Sequence, residues 1–213
     1  MSFKYLICLD FEATCWSYDW KENAEIIEFG AILLNVNSGT IEDRFHHYVR
    51  PIRYPQLSEY CINLTGITQS MVDCQPTFST IYSYFIDWLR MLQNTKGLQF
   101  TSSARARISD GPNTTFCSWS NWDLSFYFRN DCARNHIICQ PLFKAWIDVR
   151  QLFNQIYMAF INRNLRFSYA LEIASIRTVG SPHSAISDAI NLAKLAMHLI
   201  NRGVRFNAIT NYY

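Results

Sequence analysis

Asp10-Phe11-Glu12 closes the apolar run Tyr5-Leu6-Ile7-Cys8-Leu9. Five apolar residues without a helical stripe read as a buried strand. Strand side chains alternate faces, so Asp10 and Glu12 point one way and Phe11 the other. Two carboxylates on one face repel, and each loses hydration in a cleft. A divalent cation between them relieves both costs, and Mg²⁺ takes carboxylate oxygens together with waters and substrate phosphates. The pair points to a metal-dependent enzyme acting on phosphates; the alternative is a strand end carrying two solvated acids.

Three further groups have the right chemistry to join them. Asp123 ends Ser118-Trp119-Ser120-Asn121-Trp122-Asp123, just past the apolar stretch Thr115 to Trp119. It falls in the first turn of an expected helix, where a carboxylate also gains from the helix dipole. His183 and Asp188 form an H-x-x-x-x-D pattern at the start of the last helix, with His183 outside it after Pro182 and Asp188 one turn inside. Taken singly, these would be a capping acid, a loop histidine and an exposed helical acid.

The elements that must position these groups are legible in outline. Strands are expected at Tyr5 to Leu9, Ile26 to Asn35, Ile41 to Val49, Thr115 to Trp119 and Ala145 to Val149, with Asn37-Ser38-Gly39 turning a hairpin between the second and third. Short helical pieces are expected over Ser58 to Asn63 and Gln69 to Asp73. Pro76-Thr77 opens a strong helix with Phe78, Ile81, Tyr82, Phe85, Trp88, Leu89 and Leu92 at helical spacing. Residues 95–114 read as a long surface loop carrying Arg105 and Arg107. Helices follow from Asn121 to Asn135, through about Ile161, from Phe167 to Ile176 and from Ser184 to Asn201, where Gly203 stops the last. A meander followed by alternating helices and strands gives an α/β layered sheet.

Bulk properties narrow the class. The chain has 213 residues, 49% hydrophobic and 17% charged, which suits one globular domain with a sizeable core. Net charge is +2, so any basic footprint is local, at Arg105 and Arg107 or at Arg163 and Arg166. Seven scattered cysteines, none spaced C-x-x-C, argue against a zinc ribbon. Neither a signal sequence nor a membrane span is expected, which places the chain in the cytoplasm or nucleus.

Together the acids and the histidine resemble the DEDDh family of 3′→5′ exonucleases, with their RNase H-like fold. Local runs narrow the resemblance to the subfamily of histone-mRNA exonucleases and enhanced-RNAi nucleases: Asp10-Phe11-Glu12-Ala13-Thr14-Cys15-Trp16, Glu25-Ile26-Ile27-Glu28-Phe29, Leu64-Thr65-Gly66-Ile67, Trp119 to Asp123, and Trp146-Ile147-Asp148-Val149-Arg150. The likeness extends from about residue 3 to residue 210. It implies a mixed five-stranded sheet flanked by helices and metal-dependent removal of nucleotides from the 3′ end of single-stranded or overhanging RNA, with DNA also in range. Asp10 would bridge two Mg²⁺ or Mn²⁺ ions, Glu12 and Asp188 would hold the first, Asp123 would reach the second, and His183 would be the general base. Phe11, Ala13, Trp122 and Leu124 would surround the 3′-terminal nucleotide, with Leu64 and Thr65 wedged between terminal bases.

The chain departs from this pattern at three places. Gly180-Ser181-Pro182 precedes His183 where relatives carry Gly and a basic residue, Ser187 replaces a second acid beside Asp188, and Tyr169 to Val179 is poor in Leu and Gly. The alternative reading is therefore a catalytically weakened RNA-binding or scaffold module of the same fold.

Overall fold

The computed structural model describes residues 3–18, 24–100, 111–157, 165–207, 209 and 211–212. Its strands are β1 (Tyr5–Ala13), β2 (Ile26–Asn35), β3 (Thr40–Tyr48), β4 (Thr114–Ser118), β5 (Ala145–Asp148) and β6 (Asn211–Tyr212). They form one sheet in the order β3-β2-β1-β4-β5-β6. β2 pairs antiparallel with both β1 and β3, β4 is parallel to β1 and to β5, and β6 is antiparallel to β5. All five expected strands form and the sheet is mixed; the two-residue β6 extends it at one edge.

β1 and β2 are central strands covered on both faces, which is why they read as near-continuous apolar runs. Tyr5, Ile7, Leu9 and Phe11 point into an aromatic core with Phe29, Phe45, Phe85, Phe128 and Phe143. That core is closed by α3 (Phe78–Lys96), whose apolar stripe is the one the spacing predicts. Leu6 and Cys8 point to the opposite face, against α5 (Val149–Tyr157), α6 (Phe167–Ile173) and α7 (Ala185–Asn201). Asp10 and Glu12 continue the Leu6–Cys8 register, so they emerge at the edge of the α7 layer. A third cluster of Ile27, Leu57, Cys61, Ile67 and Val72 lies under α1 (Glu59–Thr65) and α2 (Gln69–Asp73).

Close approach of α7 to the sheet depends on small residues. Ala185, Ala189, Ala193 and Ala196 are buried on α7. At the facing point on β2, a Cβ on Gly30 would stand 2.4 Å from the Ala185 carbonyl carbon.

Two expectations change. The helix expected from Asn121 to Asn135 divides into a π-helical segment, Trp122–Phe128, and α4 (Arg129–Arg134). The long loop is shorter than expected: α3 runs to Lys96, and Phe100 bridges to Thr114. Residues 101–110, with Arg105 and Arg107, lie outside the described residues, as does Arg163. All seven cysteines are free thiols; Cys8 and Cys117 meet at 3.3 Å between β1 and β4. Among the described residues no helix is long and apolar enough to cross a membrane.

Candidate active site

The end of β1 presents Asp10 and Glu12 on one face, and the first turn of α7 presents Asp188 to them. Carboxylate oxygens of the three lie within 4.8 Å of one another. Asp123 approaches from the π-helical segment. Its Oδ1 accepts a hydrogen bond of 3.3 Å from the Phe11 backbone N–H, so the residue between the two β1 acids also tethers the third element. The Asp123 carboxylate is thus engaged by β1 as well as by its own backbone N–H in the first turn. These acids line a cleft of about 300 Å³ together with Trp122 and His183.

Crowding shows in the protonation of the acids. Burial, then the charges of Asp123, Glu12, Asp188 and Glu28, hold the Asp10 carboxyl well above the usual carboxylate range. Glu12 is pushed up to about 9 by burial and by Asp188, Glu28 and Asp123. Asp123 is pushed up to about 7, burial outweighing its backbone hydrogen bonds. Asp188 is raised by burial as well, with the His183 N–H and charge pulling the other way. Carboxylates held together at such cost fit a hard divalent cation: the donors are all oxygen, and a cation would offset the repulsion directly.

His183 sits at the mouth with φ +59°, a left-handed conformation that is uncommon outside glycine. Its backbone N–H donates to Asp188 Oδ2 at 3.1 Å, which ties the loop to the helix it precedes. Gly180, also left-handed, packs so closely on Ser187 that a Cβ would stand 2.0 Å from its Oγ. Ser187 Oγ in turn donates to Ser184 Oγ at 3.2 Å. Ser187 is therefore a packing contact for the loop that carries His183.

The remaining predicted contacts separate. Trp122 is 45% exposed at the cleft rim, stacked edge-on against Phe126. Leu64 is 37% exposed on α1 and faces an adjoining cavity. Phe11 borders the cleft, but its ring is 6% exposed and lies 4.5 Å from Phe29 and 6.0 Å from Phe128 between ring centroids. Leu124 is 2% exposed within the same aromatic core. Ala13 is buried and its carbonyl accepts from Cys61 Sγ. Thr65 Oγ1 donates to the Cys61 carbonyl and accepts from the Ile67 N–H, so its hydroxyl is engaged at the C-terminal end of α1.

The match to known proteins agrees with this geometry. Residues 7–196 match the family model described as Exonuclease. The chain belongs to the exonuclease family. Among curated relatives, ERI1 exoribonuclease 2 of Danio rerio is 38% identical over 206 residues, covering 96% of this chain and 36% of that protein. The 3′-5′ exonuclease Snipper of Drosophila melanogaster is 36% identical over 209 residues, covering 96% of this chain and 72% of the relative. The chain therefore spans little more than a third of the first relative and most of the second. The nuclease domain of 3′hExo, a DEDDh family member solved with rAMP, superposes with a TM-score of 0.85 at 31% identity, covering 99% of this chain and 98% of that one.

One residue of this exonuclease domain that sequence reasoning did not single out is Glu28. It is buried on β2 directly across from Glu12. Its Oε2 accepts the Ala185 N–H at 2.9 Å, and its Oε1 accepts from Ser184 Oγ at 3.3 Å and meets His46 Nε2 at 2.8 Å. Glu28 thus fastens the start of α7, and with it His183 and Asp188, to the sheet. The signal was a lone acid inside a buried apolar strand; nothing local named its partner.

Proposed function

We propose that this exonuclease domain removes nucleotides from the 3′ end of RNA, and of DNA with a free single-stranded end, by metal-dependent hydrolysis. The observation that carries the reading is the convergence of Asp10, Glu12 and Asp188 within 4.8 Å, with Asp123 and His183 around the same cleft. Asp10, Glu12 and Asp188 are the residues that would hold Mg²⁺ or Mn²⁺, with Asp123 reaching a second ion beside Asp10. Divalent cations held there would supply charge neutralisation and Lewis acidity toward the phosphodiester and its leaving oxygen. His183 accepts the proton of the attacking water on its imidazole. The left-handed backbone at position 183 and the hydrogen bond to Asp188 fix where that imidazole can reach. Trp122 offers an indole face to the terminal base, and stacking of this kind is sequence-tolerant. Leu64 separates that base from its neighbour, while Phe11, Ala13, Thr65 and Leu124 shape the pocket from behind it. The names of two relatives support the RNA assignment: one is an exoribonuclease and one was solved with rAMP.

The test is a ladder assay on 5′-labelled single-stranded RNA and DNA. Shortening from the 3′ end that requires Mg²⁺ and is lost in Asp10→Ala supports the reading. Intact oligonucleotide in every lane from folded protein, with retained RNA binding, would favour a binding module of the same fold.

A further inference from the structure

A larger cavity of about 790 Å³ adjoins the acid cleft. Trp119, Phe167, His183 and Asp188 line both, so the two spaces share a wall. Beyond that wall the chemistry changes. Arg150, at the start of α5, and Arg166, just before α6, enter the lining, and Tyr60 and Leu64 contribute exposed side chains from α1. Arg150 is anchored at this wall, since its backbone N–H donates to the Trp119 carbonyl at 3.1 Å. Among the described residues neither guanidinium lies within ion-pair distance of a carboxylate, although the Arg150 charge acts on the nearby Asp148 carboxyl.

We propose that this cavity binds the RNA strand on the 5′ side of the scissile bond, with Arg150 and Arg166 meeting the first upstream phosphates. The inference rests on the 3′-exonuclease reading and adds to it the substrate stretch that the domain grips. The argument is one of charge. A 3′-terminal nucleotide brings a single phosphodiester to the site, and the carboxylate cluster is where that group must lie. Arg150 and Arg166 line the adjoining cavity rather than the acid cleft, and a connected strand brings further phosphates there at each step. Arginine presents a planar fork suited to phosphate oxygens. Tyr60 and Phe167 add aromatic surface for unpaired bases, as in other single-strand grooves. The larger volume, about 790 against 300 Å³, leaves room for more chain than the acid cleft holds.

The experiment compares two substrates. One is a 5′-labelled six-nucleotide RNA; the other is the p-nitrophenyl ester of uridine 5′-monophosphate, which has a terminal nucleotide but no upstream strand. Arg150→Ala/Arg166→Ala should raise KM for the RNA tenfold or more while leaving kcat/KM for the ester within twofold. Arg150→Lys/Arg166→Lys should restore much of the loss, which separates charge from folding. Anisotropy of the labelled RNA with Ca²⁺ replacing Mg²⁺ should show the salt slope of log Kd reduced by about 1.4 for two lost phosphate contacts. Equal losses on both substrates, or no change in RNA affinity, would overturn the proposal. If the wild type hydrolyses neither substrate yet binds RNA in an arginine-dependent way, the hydrolytic reading falls and only the arginines' contact with the strand is supported.

Discussion

Trp122 and Asp123 are sequence neighbours with opposite fates, one half-exposed at the rim and one buried against β1. On the proposed function that division is the residue-scale logic of the site: the acid that would hold charge is buried and tethered, and the ring that would meet a base is left open. Trp122→Ala should raise KM for RNA roughly tenfold, in line with about 1–3 kcal/mol for stacking a base on an aromatic ring. Little change in melting temperature or kcat is expected, because a half-exposed indole at the rim contributes modestly to the core. A large fall in stability with unchanged KM would show that the ring is a packing residue. The same logic explains why Phe11, Thr65 and Leu124 could not be sorted from Trp122 and Leu64 by sequence: all are apolar or small, and only burial tells a wall from a floor.

At the scale of elements, two devices dock α7 on the sheet: the Glu28 carboxylate at its N-terminus and the missing side chain of Gly30 beneath it. Gly30→Ala must push the Ala185 backbone away from β2, and overpacking of this kind costs about 1–3 kcal/mol. Because Asp188 rides on the same helix turn, kcat should fall with stability, and a variant that kept full activity would show that α7 need not sit so close. Glu28→Leu should cost about 1–3 kcal/mol by leaving the buried Ala185 N–H without an acceptor, while Glu28→Gln keeps an acceptor and should retain most of the stability. Melting curves and single-turnover rates on the three variants check both statements. The π-helical turn over Trp122–Phe128 belongs to this scale too. Periodicity announced a helix there, but a local widening is set by how the segment meets β1, and π-turns are frequent at functional sites.

For the whole molecule, the acid cluster makes stability depend on pH and metal together. In the folded state Asp10, Glu12, Asp123 and Asp188 all titrate above their usual range, with Asp123 at about 7 and Glu12 at about 9. In the unfolded chain carboxyls titrate near ~4. Between those values the native state holds protons that the unfolded state has released, so the stabilising contribution is complete below about pH 4 and is lost as pH rises through the folded values. In EDTA the melting temperature should therefore fall between pH 5 and pH 9. Mg²⁺ should raise it more at pH 8 than at pH 6, because protons and cations compete for the same oxygens. At one hundred times its Kd a bound ion adds about 2.7 kcal/mol, or several degrees in a protein of this size. A Mg²⁺ effect that is equal at both pH values would mean the ion binds elsewhere.

The acids of β1, the strand and helix order and the family likeness were all legible in the sequence, because each depends on local periodicity or on residues close together in the chain. Alternation alone put Asp10 and Glu12 on one face, and the H-x-x-x-x-D spacing alone put His183 and Asp188 at one helix end. Tertiary structure decided what depends on contacts between distant segments. It brought Asp123 to the Phe11 amide and Glu28 to the start of α7, across 112 and 157 residues of chain. It made Ser187 the packing partner of Gly180, and it set Arg150 and Arg166 on the wall of a second cavity. Burial and enclosure are properties of the packed molecule: a side chain's hydration, and with it its charge state and its access to substrate, is fixed only when the other layers close over it.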